Sequence, residues 1–165
     1  MYYETIFKAL TDAGIRYVVV GGMAVNLHGV PRATMDLDVV LALDLKNITR
    51  FAEVMEREGY KPRIPVDPRD MADPNVREHW KAEKHMLALT FTHQAFPFQQ
   101  IDVILDTPVP FDALYERSQP LTIAGSTVPV AAISDLKEMK RHAGREQDLS
   151  DIEMLERVEK IKRES

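Results

Sequence analysis

Two aspartates one residue apart, Asp36 and Asp38, open an otherwise apolar stretch that continues to Leu43. Successive side chains of a strand point to opposite faces, so these two carboxylates project together, with Cα atoms about 6.5 to 7 Å apart. Carboxylates held this close repel each other, and a divalent cation between them makes the arrangement favourable. The pair therefore predicts a metal site on one face of a strand.

A second feature, the run from Ile15 to Val20, is β-branched and precedes Gly21-Gly22. It predicts a central strand covered on both faces. The two glycines allow positive φ and let a phosphate approach the backbone amides, which would belong to a short helix over residues 23–28. Strand-to-helix turns also use Gly-Gly for geometry alone, so the phosphate interpretation depends on the nearby Asp pair.

A third carboxylate lies in a later apolar run, where Asp102 is flanked by Ile101 and Val103. Residues 86–92 and 98–105 predict two antiparallel strands, and an ionised carboxylate inside such a strand is costly unless it is paired or bound to metal. Asp106, at the end of the same run before Thr107-Pro108, fits a turn. Asp102 is therefore the candidate that completes a three-carboxylate set.

These segments together resemble a known signature. Gly21-Gly22, the run Arg32-Ala33-Thr34-Met35 and the Asp36-Leu37-Asp38 strand are similar to the nucleotidyltransferase superfamily with the DNA polymerase beta-like fold, and Asp102 matches its third carboxylate. The later segment resembles the end of small bacterial members related to abortive-infection proteins and to antibiotic nucleotidyltransferases; it comprises residues 135–140, Gly144-Arg145, Asp148 and Asp151.

The resemblance implies an α/β (α+β) fold, with a mixed sheet of about five strands flanked by helices and a short C-terminal helical segment. A length of 165 residues suits one domain with one core. We expect a single nucleotidyltransferase-like domain over residues 1–165, with the catalytic sheet in about residues 1–130 and the C-terminal helices in about residues 133–162.

The resemblance also implies an activity: metal-dependent transfer of a nucleoside monophosphate, AMP first, from a nucleoside triphosphate to a hydroxyl, with release of pyrophosphate. The residues that would hold two Mg²⁺ ions, or Mn²⁺ in their place, are Asp36, Asp38 and Asp102, and Asp102 would also accept the hydroxyl proton. The residues that would contact the nucleotide are Gly21, Gly22, Arg32, Thr34 and Lys140. The acceptor stays open between a small molecule, a tRNA and a protein.

Several side chains have two interpretations. Arg32 suits either a triphosphate or a carboxylate that fixes its loop. Trp80 suits stacking on a base, although a tryptophan at a helix edge more often anchors a core. The acidic and basic residues after Gly144, which are Arg145, Asp148 and Asp151, suit a structural ion-pair network.

A non-catalytic alternative is a nucleotide-binding or toxin–antitoxin interaction module of the same fold. Three mutually repelling carboxylates argue against it, because a binding module has no need of them. The partners we expect are a nucleoside triphosphate and a hydroxyl acceptor, with a second copy of the chain or a toxin–antitoxin partner completing the site. A P-loop phosphotransferase is excluded, since no Gly-x-x-x-x-Gly-Lys-Ser/Thr occurs.

The amino-acid composition excludes several kinds of site and bears on the location of the protein. The chain has no cysteine, which excludes disulfides and thiolate metal sites, and its net charge of −5 argues against a nonspecific polyanion-binding surface. We expect no membrane segment, because no apolar run approaches 18 residues, and the first four residues do not resemble a secretory signal. A cytoplasmic location is the resulting expectation.

Three local predictions concern the scaffold. Asp44 or Asn47 suits the cap of a helix that follows the Asp pair, and Ser134 suits the cap of a helix through about residue 142. Residues 121–123 and 127–130 predict a minor hairpin. Residues 61–74 contain four prolines and several charges, which predicts a possible short strand near Arg63 followed by a long loop of the kind that often carries function.

Overall fold

The structure is a computed structural model that describes residues 3–165; Met1 and Tyr2, part of the segment considered above as a signal, lie outside the described residues. The helices are α1 Glu4–Asp12, α2 Gly21–Leu27, α3 Leu45–Arg57, α4 Pro74–Lys84, α5 Phe111–Arg117, α6 Ile133–Ala143 and α7 Glu146–Glu164. The strands are β1 Tyr17–Val20, β2 Leu37–Leu41, β3 Tyr60–Pro62, β4 Ala88–His93, β5 Gln100–Ile104, β6 Gln119–Ile123 and β7 Ser126–Val130. A short 3₁₀ helix spans Pro68–Ala72.

The mixed α/β class is confirmed, but the predicted strand number is wrong, because the sheet has seven strands rather than about five. Their order is β3-β4-β5-β2-β1-β7-β6. The β6–β7 hairpin is not a minor appendage, since Val130 of β7 pairs in parallel with Val19 of β1 and extends the sheet. At the other edge β3 pairs with β4, so the possible short strand near Arg63 is present and ends one residue before it, at Pro62.

The core forms around the strand that the β-branched run predicted to be central. All four residues of β1 are buried, and β1 lies between β2 and β7. Phe51 of α3 meets Phe91 of β4 edge to face, with ring centroids 5.6 Å apart. Trp80 is only 3% exposed, so it anchors this core and is not available to stack on a base.

Helix starts agree with the sequence in one place and differ in another. The carboxylate of Asp44 caps α3 by accepting a hydrogen bond from the backbone N–H of Asn47 at 3.1 Å. The predicted Ser134 cap is wrong, because α6 begins at Ile133 and no side chain caps it. Helices α5 and α6 begin without a side-chain cap. Each follows a residue in extended conformation, Pro110 and Ala132 respectively.

Asn47 has a further role, because its side chain joins three segments of backbone. Its oxygen accepts from the N–H of Arg16 at 2.9 Å, and its amide donates to the carbonyls of Arg16 at 3.0 Å and Ala42 at 2.9 Å. These bonds hold Arg16, which precedes β1, next to Ala42, which follows β2. Within residues 3–165, no helix is both long and apolar enough to cross a membrane.

Candidate active site

The register of the sheet brings two of the predicted carboxylates side by side. Strands β2 and β5 are parallel neighbours, and Asp38 is paired with Asp102 across them. On the far side of β5, Thr90 of β4 is the antiparallel partner of Asp102 and donates its hydroxyl to Asp102 Oδ1 at 2.6 Å. The two Asp carboxyls are within hydrogen-bonding reach of each other.

Within this pair, the surroundings of Asp38 favour its protonated form. Burial, followed by the charges of Asp102 and Asp36, raises the pKa of Asp38 to about 7, and the positive charge of Lys140 opposes the rise. A divalent cation between such groups would take the place of that proton and favour both ionised carboxylates.

Asp36 lies one residue before β2, not within it, and still faces its two partners. Burial and the charge of Asp102 raise its pKa, while the nearby Arg63 guanidinium lowers it. The loop that carries Asp36 is held by the buried Tyr3 hydroxyl, which donates to the carbonyl of Met35 and lies 2.9 Å from that of Gln100 at the start of β5. Tyr3 thereby ties the two carboxylate-bearing segments together.

Gly21 is required by the position of Asp38. Its φ is +66°, and a Cβ at residue 21 would lie 2.0 Å from Asp38 Oδ2 and 2.8 Å from its carboxyl carbon. The helix α2 begins at Gly21 itself, two residues earlier than predicted. The absence of a side chain at residue 21 therefore lets a carboxylate pack against the backbone, a role that the Gly-Gly pattern did not indicate.

Gly22 lies beside the other predicted nucleotide contacts. A Cβ there would be 3.2 Å from both Arg32 Cζ and Thr34 Oγ1. The side chain of Thr34 is 3.4 Å from the carbonyl of Asp36. Gly22, in the first turn of α2, is thus adjacent to Arg32 and Thr34, which lie on the loop that enters β2.

Lys140 is at the centre of an ion-pair network between α6 and α7. It is buried, with its ammonium 3.2 Å from Asp148 Oδ1 and 3.0 Å from Asp151 Oδ2. Arg145 binds Asp148 at 2.7 Å, and Arg32 binds Asp151. The structure therefore pairs Arg32 with a carboxylate and shows the expected Arg145–Asp148–Asp151 network, enlarged by Lys140 and Arg32.

A cleft of about 290 Å³ joins this network to the carboxylates. Its apolar lining comes from β1, β5, α6 and the residues before β4, among them Val20, Leu87, Ile104, Leu136 and Met139. Its polar lining includes both acidic and basic side chains and comprises Gly21, Asp38, Asp106, Lys140, His142, Arg145 and Asp148. At the rim, Asp106 binds both Lys81 and His142 at 3.2 Å, and both groups lower the pKa of Asp106. This cleft, here called the first cleft, is closed on one side by α6.

The predicted metal ligands converge without forming a closed coordination cage. Within residues 3–165, no group of three or more His, Asp or Glu side chains is arranged to hold a metal ion as it stands. Oxygen donors of the kind that Mg²⁺ prefers are nevertheless present, and burial together with the charges of Asp102 and Asp36 raises the pKa of Asp38. The donor set suits a hard divalent cation once Asp38 is ionised.

Two neighbours of the carboxylates were missed from the sequence. Thr90 is placed by the β4–β5 register, which an alternating pattern does not fix when the connecting loop is long. Arg63 follows β3, a three-residue edge strand in a proline-rich segment. The charged character of residues 61–74 was the available signal.

Solved structures share this architecture. A lincomycin-bound lincosamide antibiotic adenylyltransferase, LnuA, superimposes with a TM-score of 0.59 over 96% of this chain and 98% of its own, at 17% identity. The chain has the nucleotidyltransferase fold. ANT(2'')-Ia in complex with adenylyl-2''-tobramycin has a TM-score of 0.57 over 96% of this chain and 94% of its own, at 12% identity. A nucleotidyltransferase-like protein of Paracoccidioides brasiliensis has a TM-score of 0.55 at 16% identity and covers 93% of this chain and 73% of its own.

Curated relatives in sequence carry a different name. A protein of Mycolicibacterium smegmatis (strain ATCC 700084 / mc(2)155) is 31% identical over 137 residues, which are 73% of this chain and 45% of the relative. A protein of Mycobacterium sp. (strain KMS) is 29% identical over 160 residues, 88% of this chain and 50% of the relative. Both are described as "Putative S-adenosyl-L-methionine-dependent methyltransferase", and the chain spans about half their length. No protein-family model matches the chain.

Proposed function

We propose that the protein is a Mg²⁺-dependent nucleotidyltransferase that moves a nucleoside monophosphate, AMP first, from a nucleoside triphosphate to an acceptor hydroxyl. The observation that carries this proposal is the pairing of Asp38 with Asp102 on adjacent parallel strands, beside Asp36. The fold, which it shares with antibiotic adenylyltransferases, supports the same reaction class. Three crowded carboxylates are costly to the fold and become useful when cations are bound.

The metal ligands in this proposal are Asp36, Asp38 and Asp102. Bound Mg²⁺, or Mn²⁺, would neutralise the triphosphate and make the acceptor hydroxyl easier to deprotonate. The hydroxyl oxygen forms a bond to the α-phosphorus, the bond between that phosphorus and the bridging oxygen of the β-phosphate breaks, and pyrophosphate leaves. Asp102 accepts the hydroxyl proton, and the hydrogen bond from Thr90 holds its carboxylate in a fixed orientation for this step.

The nucleotide occupies the first cleft in this proposal, because that cleft reaches Asp38 and has both cationic and apolar walls. Arg145, which is largely exposed at the cleft, is the cation best placed to meet a phosphate. The buried Lys140 acts through its charge on Asp38 and is held by two aspartates. Gly21 and Gly22 supply a backbone that has no side chain between it and the ligand, with Arg32 and Thr34 alongside.

Two other functions compete with this one. A nucleotide-binding or toxin–antitoxin interaction module of the same fold would bind through its surface, and replacing Asp36 by Asn would leave its biological effect unchanged. The name of the mycobacterial relatives favours methyl transfer from S-adenosyl-L-methionine, in proteins about twice as long as this chain. Binding of S-adenosyl-L-methionine by this chain alone would support that second candidate.

Thermal unfolding with each of the four nucleoside triphosphates, with and without Mg²⁺, tests the proposal. S-adenosyl-L-methionine is a separate arm, and Asp38→Asn is measured beside the wild type. A ligand that binds only the folded state raises stability by about 2.7 kcal/mol at a hundredfold excess over Kd, which is a shift of several degrees in Tm. We expect a Mg²⁺-dependent shift with ATP that Asp38→Asn removes.

Other outcomes favour the competing functions. A shift with S-adenosyl-L-methionine alone would replace nucleotidyl transfer by methyl transfer. The absence of any shift would favour the interaction module. A shift with a triphosphate other than ATP would still support nucleotidyl transfer, with a different base in the transferred nucleotide.

A further inference from the structure

A second cleft of about 530 Å³ lies next to the first. Two segments line it: residues 63–65, which follow β3, and residues 84–90, which run from the end of α4 into β4. Leu87 lines both clefts, so they are neighbours separated by this side chain. The second cleft has no role in the nucleotide site described above.

The second cleft ends at the carboxylates. Thr90 lines it and donates its hydroxyl to Asp102 at 2.6 Å. Arg63 lines it too, close enough to Asp36 for its charge to act on that carboxyl. The first cleft reaches Asp38 itself, whereas the second reaches Asp102 and Asp36 through the side chains of Thr90 and Arg63.

The wall of the second cleft is basic. Three of its residues carry or can carry positive charge, Arg63, Lys84 and His85, and no Asp or Glu lines it. All three are exposed, and none forms an ion pair with any residue in the described range 3–165. This concentration of unpaired cations occurs in a chain whose net charge is −5.

The positively charged residues of this wall come from two separate elements of the fold. Lys84 and His85 close α4, where cations also interact favourably with the helix C-terminus, so their presence there has a structural explanation. Arg63 comes from another element, and its backbone N–H donates to the carbonyl of Thr90 at 2.8 Å, which fixes its segment against β4. Only Arg63 brings a cation to the carboxylate end of the cleft.

We infer that the second cleft receives the hydroxyl acceptor and that this acceptor carries an anionic group, a phosphate or a carboxylate, near its reactive hydroxyl. Guanidinium and ammonium groups bind such oxyanions by charge-assisted hydrogen bonds. A polyamine acceptor would meet three cations and no counter-charge on this wall. The acceptor role rests on the proposed function, because that function defines the reaction. Anion binding in the cleft rests only on the charged residues that line it.

An NMR titration of the full chain tests anion binding separately from catalysis. Glycerol 3-phosphate and glycerate are added without nucleotide or metal, with glycerol as the neutral probe and spermidine as the cationic probe. We expect amide shifts confined to residues 63–65 and 84–90 with either anion, weakened by added salt, and none there with glycerol or spermidine. The relative affinities of the two anions separate phosphate from carboxylate.

The variants are Lys84→Gln, and Lys84→Gln combined with His85→Gln. The matched control is Lys46→Gln, an exposed lysine on α3 that forms no ion pair in the described chain. We expect Kd for the anion to weaken about fivefold for each charge removed from the cleft and to stay unchanged in the control. Equal weakening in the control, shifts of equal size with spermidine, or no shifts at residues 84–90 would overturn the inference.

The same variants separate this inference from the proposed function. If Mg²⁺ and ATP stabilise the protein but neither anion shifts the second cleft, the acceptor inference fails and nucleotidyl transfer stands. If the anions bind there but no triphosphate binds the first cleft, nucleotidyl transfer fails and with it the acceptor role, while the anion site remains.

Discussion

The carboxylate of Asp38 occupies the space in which residue 21 would carry its Cβ. An added Cβ at Gly21 would lie 2.0 Å from Asp38 Oδ2, and the backbone there has a φ of +66°. The turn and the carboxylate are therefore coupled, because neither can change without moving the other.

Replacing Gly21 by Ala tests this coupling. Gly14→Ala is the matched control, since Gly14 also has a φ of +66° and nothing lies within 4 Å of its added Cβ. We expect Gly14→Ala to cost about 1 kcal/mol from the backbone alone and Gly21→Ala to cost about 2 kcal/mol more, because Asp38 must move. Urea unfolding of both variants measures the difference, and equal costs would show that the contact is unimportant.

A second prediction concerns the buried Lys140. Lys140→Met leaves Asp148 and Asp151 buried with less compensation, so we expect a loss of about 3 kcal/mol in the free energy of unfolding. Lys8→Met removes an exposed pair with Asp12, which solvent screens, and should leave the free energy of unfolding nearly unchanged. Similar losses for the two variants would mean that the network between α6 and α7 contributes little.

The pH dependence of stability follows from the raised pKa of Asp38. The pKa of Asp38 is raised from 3.8 to about 7 by burial and by Asp102 and Asp36, so between these values the folded state binds more protons than the unfolded state. Stability contributed by this proton is present below about pH 4 and is lost as pH rises through about 7. From pH 5 to 8, Tm should therefore fall more in the wild type than in Asp38→Asn, by about 3 °C or more.

Adding Mg²⁺ gives the complementary result. A cation that replaces the proton should restore stability mainly above pH 7, where the carboxylates are ionised. Thermal scans over pH with and without Mg²⁺ compare the two conditions. A wild-type profile parallel to that of Asp38→Asn would contradict the raised pKa of Asp38.

The hydroxyl of Thr90 gives another test, with its neighbour Thr92 as the control. Thr90→Val removes the 2.6 Å hydrogen bond to Asp102 and should cost about 1.5 to 3 kcal/mol, since the acceptor is a carboxylate. Thr92 Oγ1 is buried and has no hydrogen-bond partner among residues 3–165, so Thr92→Val should be neutral or stabilising. Denaturant unfolding of the two variants should give shifts of different size, and a reversed order would show that the bond to Asp102 does not hold that carboxylate.

Much of the candidate site could be predicted from the sequence, because each of its patterns involves only a few adjacent residues. The Asp36-x-Asp38 spacing, the apolar run around Asp102 and the glycine pair each report on a few adjacent residues, and the structure brings these segments together. The class of the fold followed from the same segments. Asp44 as a helix cap was also a local signal.

The remainder depended on contacts between distant residues. The sheet gained strands because Val130 pairs with Val19, a pairing that hairpin patterns alone do not specify. Arg32 had two possible partners in the sequence, and the position of α7 gives it Asp151. Thr90 and Arg63 reach the carboxylates only through the register of β3, β4 and β5.

Electron paramagnetic resonance of Mn²⁺, titrated with a nonhydrolysable ATP analogue present, tests the central claim most directly. The claim predicts protein-bound Mn²⁺ in the wild type that is lost in Asp38→Asn and in Asp102→Asn. It should be retained in Asp12→Asn, which removes an exposed carboxylate at the end of α1. Binding that persists in both site variants, or that is absent from the wild type, would contradict a metal-dependent site at these carboxylates.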